Sequence, residues 1–159
     1  MKIGVMSDTH LRQITDELKK VVERLFSDTD IILHAGDIVS PVVLQYLKTA
    51  NVIAVSGNMD HYETSQALPY KRIIEAGPFK IGLIHGWGSP YGLAQKLRKE
   101  FDKIDCLVFG HSHQPLNSWV GSELYFNPGS MTLGKRDQKR SVGTLHINKT
   151  IQGEIITLD

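Results

Sequence analysis

Short, nearly continuous apolar runs alternate with longer amphipathic stretches along most of this chain. Residues 2–7, 31–35, 51–56 and 106–109 are runs of the kind that strands buried on both faces require. After the first run, Ile14, Leu18, Val21, Val22, Leu25 and Phe26 recur at helical spacing and predict a helix over 14–26. Lys19, Lys20, Glu23 and Arg24 fall on its other face as solvated charges. Ser40-Pro41 pairs an N-cap with proline at the first helical position, and the helix it starts turns Val43, Leu44 and Leu47 inward. Ser89-Pro90 predicts another, with Leu93, Leu97 and Phe101 inside and Lys96, Arg98 and Lys99 exposed. Gly77-Pro78 separates two strands, 71–76 and 79–84, as a β-hairpin. Four more strands follow at 116–120, 123–126, 141–147 and 151–158, the first two joined by a turn at Gly121-Ser122. The early strand–helix–strand order reads as β-α-β units with parallel neighbours.

Composition narrows the function classes. A length of 159 residues suits one domain over 1–159 with one sizeable core. The net charge of +1 argues against nucleic acid as the main partner, yet leaves room for a small phosphate-bearing substrate. One cysteine, Cys106, cannot form an internal disulfide and sits in a core strand, which fits a reducing cytoplasm. No apolar run approaches about 18 residues, so no membrane span is expected.

The chemistry lies just past the strands. Asp8-Thr9-His10 follows the first, Gly36-Asp37 the second and Gly57-Asn58-Met59-Asp60-His61 the third. His85-Gly86-Trp87-Gly88 and Gly110-His111-Ser112-His113 end two more. Taken singly, Asp8 reads as a helix cap, the Asn58 segment as a plain turn and the histidine pair as a capped turn. As a series at the carboxyl ends of strands, where open α/β sheets place ligands, they read as a metal site. Parallel neighbours would bring Asp37 beside Asp8, and a divalent cation would relieve their repulsion. Asp8, His10, Asp37, Asn58, His85, His111 and His113 offer only nitrogen and oxygen, a set suited to Mn, Fe, Ni, Zn or Mg. Seven donors fit two ions sharing a carboxylate, and two ions ~3.5–4 Å apart suit in-line phosphoryl displacement. His34 reads as a core histidine. The basic run Lys135, Arg136, Lys139 and Arg140 reads as a solvated loop.

This ordered set of five motifs resembles the calcineurin-like metallophosphoesterases. The short length and the turn Asn127-Pro128-Gly129-Ser130 resemble their small prokaryotic phosphodiesterase branch. The resemblance implies an α/β fold: a four-layer α/β/β/α sandwich of two mixed sheets with a dinuclear site at the sheet ends. It implies a phosphodiesterase in which a hydroxide bridging two divalent ions, manganese foremost, attacks a small phosphodiester. Asp8, His10 and His113 would hold the first metal and Asn58, His85 and His111 the second, with Asp37 between. Asp37, Asn58 and His85 then form the catalytic centre, with Asp60, His61, Asn127 and Ser130 supporting it or touching substrate. One departure matters: Met59 stands where many relatives carry a histidine thought to protonate the leaving group, and His61 is a substitute to test. The alternatives are a binding scaffold similar to the retromer sorting subunit, or a phosphomonoesterase or nuclease. Trp119 and Tyr125, expected to be exposed, would suit a homodimer.

Overall fold

A computed structural model describes residues 1–132 and 139–158, so Lys135 and Arg136 of the basic run lie outside the described residues. In order the elements are β1 (Lys2–Met6), α1 (Asp16–Lys20), β2 (Ile31–His34), α2 (Pro41–Lys48), β3 (Val52–Ala54), α3 (Tyr62–Gln66), β4 (Lys71–Ala76) and β5 (Phe79–Ile84). Then come α4 (Leu93–Arg98), β6 (Cys106–Phe109), β7 (Leu116–Val120), β8 (Glu123–Asn127), β9 (Ser141–Ile147) and β10 (Ile151–Thr157). They form two five-stranded mixed sheets, ordered β10-β9-β1-β2-β3 and β4-β5-β6-β8-β7. Each has a parallel heart, β1-β2-β3 in one and β5-β6-β8 in the other, flanked by antiparallel strands.

Three apolar seams hold four layers together, as the resemblance implied. Ile3 and Val5 of β1 and Cys106 and Val108 of β6 meet between the sheets, with Phe126 among them. Met6 of β1 points the other way, into a seam with Leu18, Val22 and Phe26 beside α1 and Val43 and Leu47 of α2. Leu107 and Phe109 of β6 likewise face Leu93 and Leu97 of α4. Alternation along central strands such as β1 and β6 therefore feeds two seams at once, which is why their runs are apolar at almost every position.

The helices are shorter than their periodicity suggests. Thr15 caps α1 by accepting from the Leu18 N–H at 3.2 Å, leaving Ile14 outside, 37% exposed. A single π turn, Val21–Leu25, follows α1 and delivers Phe26 to the seam. The last helix starts at Leu93 behind Gly92, which holds a φ of 64°, and not at Ser89-Pro90. α3 had no apolar period to reveal it. Tyr125 is buried against α4, contrary to the exposure expected of it, while Trp119 is exposed. Arg98 pairs with Glu123 instead of lying free in solvent. No helix among the described residues is long and apolar enough to cross a membrane.

His34 is fully buried, as expected of a core histidine. Its Nδ1 accepts from the Gly36 N–H at 3.1 Å, which leaves the proton on Nε2, 3.3 Å from the Thr9 hydroxyl. Burial pushes its pKa down to about 3, so the native ring stays neutral while the unfolded chain takes up a proton. The unfolded state binds more protons between those values, so stability falls with acidification, by about 2 kcal/mol from pH 7 to pH 5 for this group. The raised His85 pKa works in the opposite direction over part of the range. Urea unfolding of metal-free protein at both pH values should therefore show a shallower pH dependence in His34→Gln than in wild type. An equal dependence would remove His34 as the source.

Candidate metal centre

All seven donors sit on loops leaving the parallel strands of the two sheets. Asp8 and His10 follow β1, Asp37 follows β2 and Asn58 follows β3; His85 follows β5, and His111 and His113 follow β6. The parallel register of β1 and β2 aligns the first two loops, with Asp8 N–H bonded to the Gly36 carbonyl and His10 N–H to the Asp37 carbonyl, both at 3.0 Å. Five of the seven, Asp8, His10, Asp37, His111 and His113, have φ between 46° and 65°, a region non-glycine residues seldom occupy. Strain concentrated this way is expected where surrounding contacts fix a functional geometry. Val39, with φ of 80°, is the most strained; Asp60, His61 and Thr64 hold it by hydrogen bonds of 2.6–3.0 Å.

Each carboxylate is anchored through one oxygen and presents the other. Asp8 Oδ2 accepts from the Ser7 hydroxyl at 2.6 Å and the His111 N–H at 3.1 Å. Its Oδ1 is buried without a hydrogen-bond partner among the described residues, 3.1 Å from His113 Nε2 and 3.7 Å from His10 Nε2. Asp37 Oδ1 accepts from the Met59 N–H at 2.7 Å. Its Oδ2 lies 3.6 Å from His10 Nε2 and 3.3 Å from His85 Nε2, one ring from each half of the cluster.

Two of the four imidazoles, His85 and His111, are oriented in the same way, whereas His113 Nδ1 is buried without a hydrogen-bond partner among the described residues. His85 Nδ1 donates to the Ala35 carbonyl at 2.6 Å, so Nε2 aims its lone pair at Asp37 Oδ2 and at Asn58 Oδ1, 3.2 Å away. His111 Nε2 donates to the Gly88 carbonyl at 2.9 Å, leaving Nδ1 3.0 Å from the same Asn58 oxygen. His10 Nε2 and His113 Nε2 stand 3.3 Å apart. Convergent lone pairs with the opposite ring atom tied to a carbonyl are what a metal ligand set needs. The residues therefore fit divalent cations, and Asp8, His10, His113 and Asp8, Asp37, His85 each bring their donor atoms within 4.8 Å.

Electrostatics tell the same story in protons. Burial alone would raise the Asp8 pKa, but the imidazoles of His10 and His113, with help from His85 and Ser7, hold it well below the usual carboxylate range. Asp37 is lowered too: burial opposes, and His85 and the Met59 N–H prevail. Burial would lower His85, but Asp37 and Asp8 raise it, so positive charge is favoured in the middle of the cluster.

The remaining candidates divide by position. Asp60 joins two loops, accepting from Gly57 N–H at 2.8 Å and Val39 N–H at 2.6 Å, while burial raises its pKa. Asn127 is fully buried and donates to the Gly110 carbonyl and the Ser112 hydroxyl, steadying the histidine loop. Ser130 donates to the Asp8 carbonyl at 2.9 Å, and Thr132 donates to the Thr9 carbonyl at 2.7 Å. His61 is exposed at the start of α3. Sequence reasoning missed Ser7, Thr132 and the carbonyls of Ala35 and Gly88; backbone carbonyls leave no residue signature.

Residues 1–150 match the calcineurin-like phosphoesterase superfamily domain. A probable metallophosphoesterase of Methanocaldococcus jannaschii is 40% identical over 164 residues, covering 100% of this chain and 82% of that protein. The structure of an archaeal phosphodiesterase is similar at a TM-score of 0.79 and 26% identity, covering 99% of this chain and 100% of that one. Wild-type Vps29 of Entamoeba histolytica, complexed with zinc, shares the fold at a TM-score of 0.72 and 24% identity, each chain covered fully. Sequence and architecture agree over nearly the full length, and the chain belongs to the calcineurin-like phosphoesterase superfamily.

Proposed function

We propose that this protein is a phosphodiesterase using two divalent ions, manganese foremost, to hydrolyse a small phosphodiester. The observation that carries this reading is the convergence of lone pairs from both sheets on one small volume, with Asp37 Oδ2 reaching His10 and His85. Asp8, His10 and His113 would hold one ion, Asn58, His85 and His111 the other, and Asp37 both. Two such ions supply Lewis acidity, neutralising phosphate oxygens and making water a nucleophile near neutral pH.

The chain's own contribution is positioning. Ser7, the His111 N–H and the Met59 N–H fix the carboxylates, and the Ala35 and Gly88 carbonyls fix two rings, so little reorganisation remains when substrate arrives. Met59 follows Asn58 with 56% of its surface exposed, and a thioether has no proton to give a leaving group. Leaving groups that depart as stable anions are therefore favoured: aryl esters and diesters over alkyl monoesters. The net charge of +1 supports a small substrate over a polynucleotide, which draws on many phosphate contacts. The buried free thiol of Cys106 fits a cytoplasmic location.

Metal-stripped protein given Mn²⁺ is expected to hydrolyse bis(p-nitrophenyl) phosphate, and His113→Ala to lose that turnover. Bound metal without turnover, for any divalent ion, would overturn the reading in favour of a binding scaffold. His61→Ala is expected to leave the ratio of aryl to alkyl leaving-group rates unchanged; a ratio shifted toward aryl esters would make His61 the proton donor.

A further inference from the structure

Large exposed apolar side chains gather beside one half of the metal cluster. Tyr70 immediately precedes β4, and Lys71 of β4 pairs with Ile84 of β5, so Tyr70 lies level with His85 at the same sheet end. Trp87 comes two residues after His85. The two rings meet at 6.0 Å and 45°, with Tyr70 51% and Trp87 37% exposed. Neither belongs to the three apolar seams, so packing of the fold does not account for them. The Trp87 loop is tied to the cluster through the Gly88 carbonyl, which accepts from His111 Nε2 at 2.9 Å. Lys96 fixes the indole from α4: its ammonium stands 4.5 Å from the Trp87 ring centroid and donates to the Trp87 carbonyl.

An aromatic pair held in place yet left in water beside a polar site is the arrangement expected of a recognition surface. We infer that Tyr70 and Trp87 form a subsite for a flat aromatic ester group, so that the substrate class is a phosphodiester with an aryl or nucleoside arm. The inference rests on the phosphodiesterase reading for its substrate and adds the arm that is recognised. With Asn58, His85 and His111 holding an ion, a phosphate bound at that ion would have this pair within reach of one ester arm. A methyl arm would leave both rings in water; a flat arm would cover them.

The test holds the leaving group constant. Protein carrying Trp119→Phe keeps Trp87 as its single tryptophan, since the chain has two. With Mn²⁺, phenyl p-nitrophenyl phosphate should exceed methyl p-nitrophenyl phosphate in kcat/KM by about tenfold, mostly through KM, as stacking energies imply. Trp87→Ala or Tyr70→Ala, each made in otherwise wild-type protein, should bring that ratio below about twofold. Binding without turnover supplies the second readout: with Zn²⁺ present, phenylphosphonate should change Trp87 emission, methylphosphonate should not, and Tyr70→Ala should abolish the change. A phenyl-to-methyl ratio unaltered in both alanine variants overturns the subsite and leaves the phosphodiesterase reading standing. Hydrolysis of neither diester, with the emission change intact, overturns the phosphodiesterase reading and sustains the subsite.

Discussion

Asp37→Ala is expected to lower kcat/KM for bis(p-nitrophenyl) phosphate by about 10³-fold or more and to reduce bound metal from two ions to one. Among the described residues Asp37 is the carboxylate within 4.0 Å of a ring from each half: its Oδ2 is 3.6 Å from His10 Nε2 and 3.3 Å from His85 Nε2. Alanine removes that shared donor and also strands the Met59 N–H, which Asp37 Oδ1 accepts at 2.7 Å. Asn58, one residue before that amide, then loses the fixture of its own loop. Asp37→Asn keeps a neutral oxygen for Met59 and should fall between alanine and wild type. Kinetics beside metal analysis of gel-filtered protein make the comparison. Activity within tenfold of wild type, with both ions retained, would show that the shared position lies elsewhere, with Asp8 the next candidate because it belongs to both close donor groups.

Gly110→Ala should be strongly destabilising, by more than about 3 kcal/mol, lowering Tm by roughly 10 °C. A Cβ there would fall 2.0 Å from Ser7 Oγ, 2.7 Å from Asp8 Oδ2 and 3.1 Å from the Ala35 carbonyl oxygen. Ser7, Asp8 and Ala35 belong to one sheet and its loops and Gly110 to the other, so relief would need the two sheets to part where the metal donors meet. Gly121→Ala gives the contrast. Its φ is 62° with open space around the added carbon, so only backbone strain of about 1–2 kcal/mol is expected. Equal losses at both sites, measured by thermal unfolding without metal, would mean that the Gly110 loop yields and the close approach is not structural.

The contrast between these glycines marks what a sequence can carry. Both sit between apolar runs and look alike as letters. Gly121 is explained locally, by the hairpin between β7 and β8. Gly110 is explained by Ser7, more than a hundred positions away in the chain. Asp60 follows the same rule. As a turn residue beside Asn58 it read as a supporting or substrate-facing acid, and the fold makes it the link between Gly57 and strained Val39. α3 escaped notice because Thr64 is its only buried residue, which gives no period to detect. The overlong first helix has the opposite cause: apolar period ran past the cap at Thr15, and capping, not hydrophobicity, decides where a helix begins.

By itself the sequence determined the strands, through apolar runs that feed two seams at once. It also marked the candidate site, through seven nitrogen and oxygen donors placed just after those strands. Tertiary structure alone decided which donors meet. His10 and His113 reach 3.3 Å, and His111 Nδ1 and Asn58 Oδ1 reach 3.0 Å, because the seam containing Ile3, Val108 and Phe126 presses the two sheets face to face. It also decided which atom each donor offers, since backbone groups such as the Ala35 and Gly88 carbonyls and the Met59 N–H hold the opposite atom. Local periodicity records which face of a strand is buried; it holds no record of how one sheet lies on another, and that relation brings the donors together.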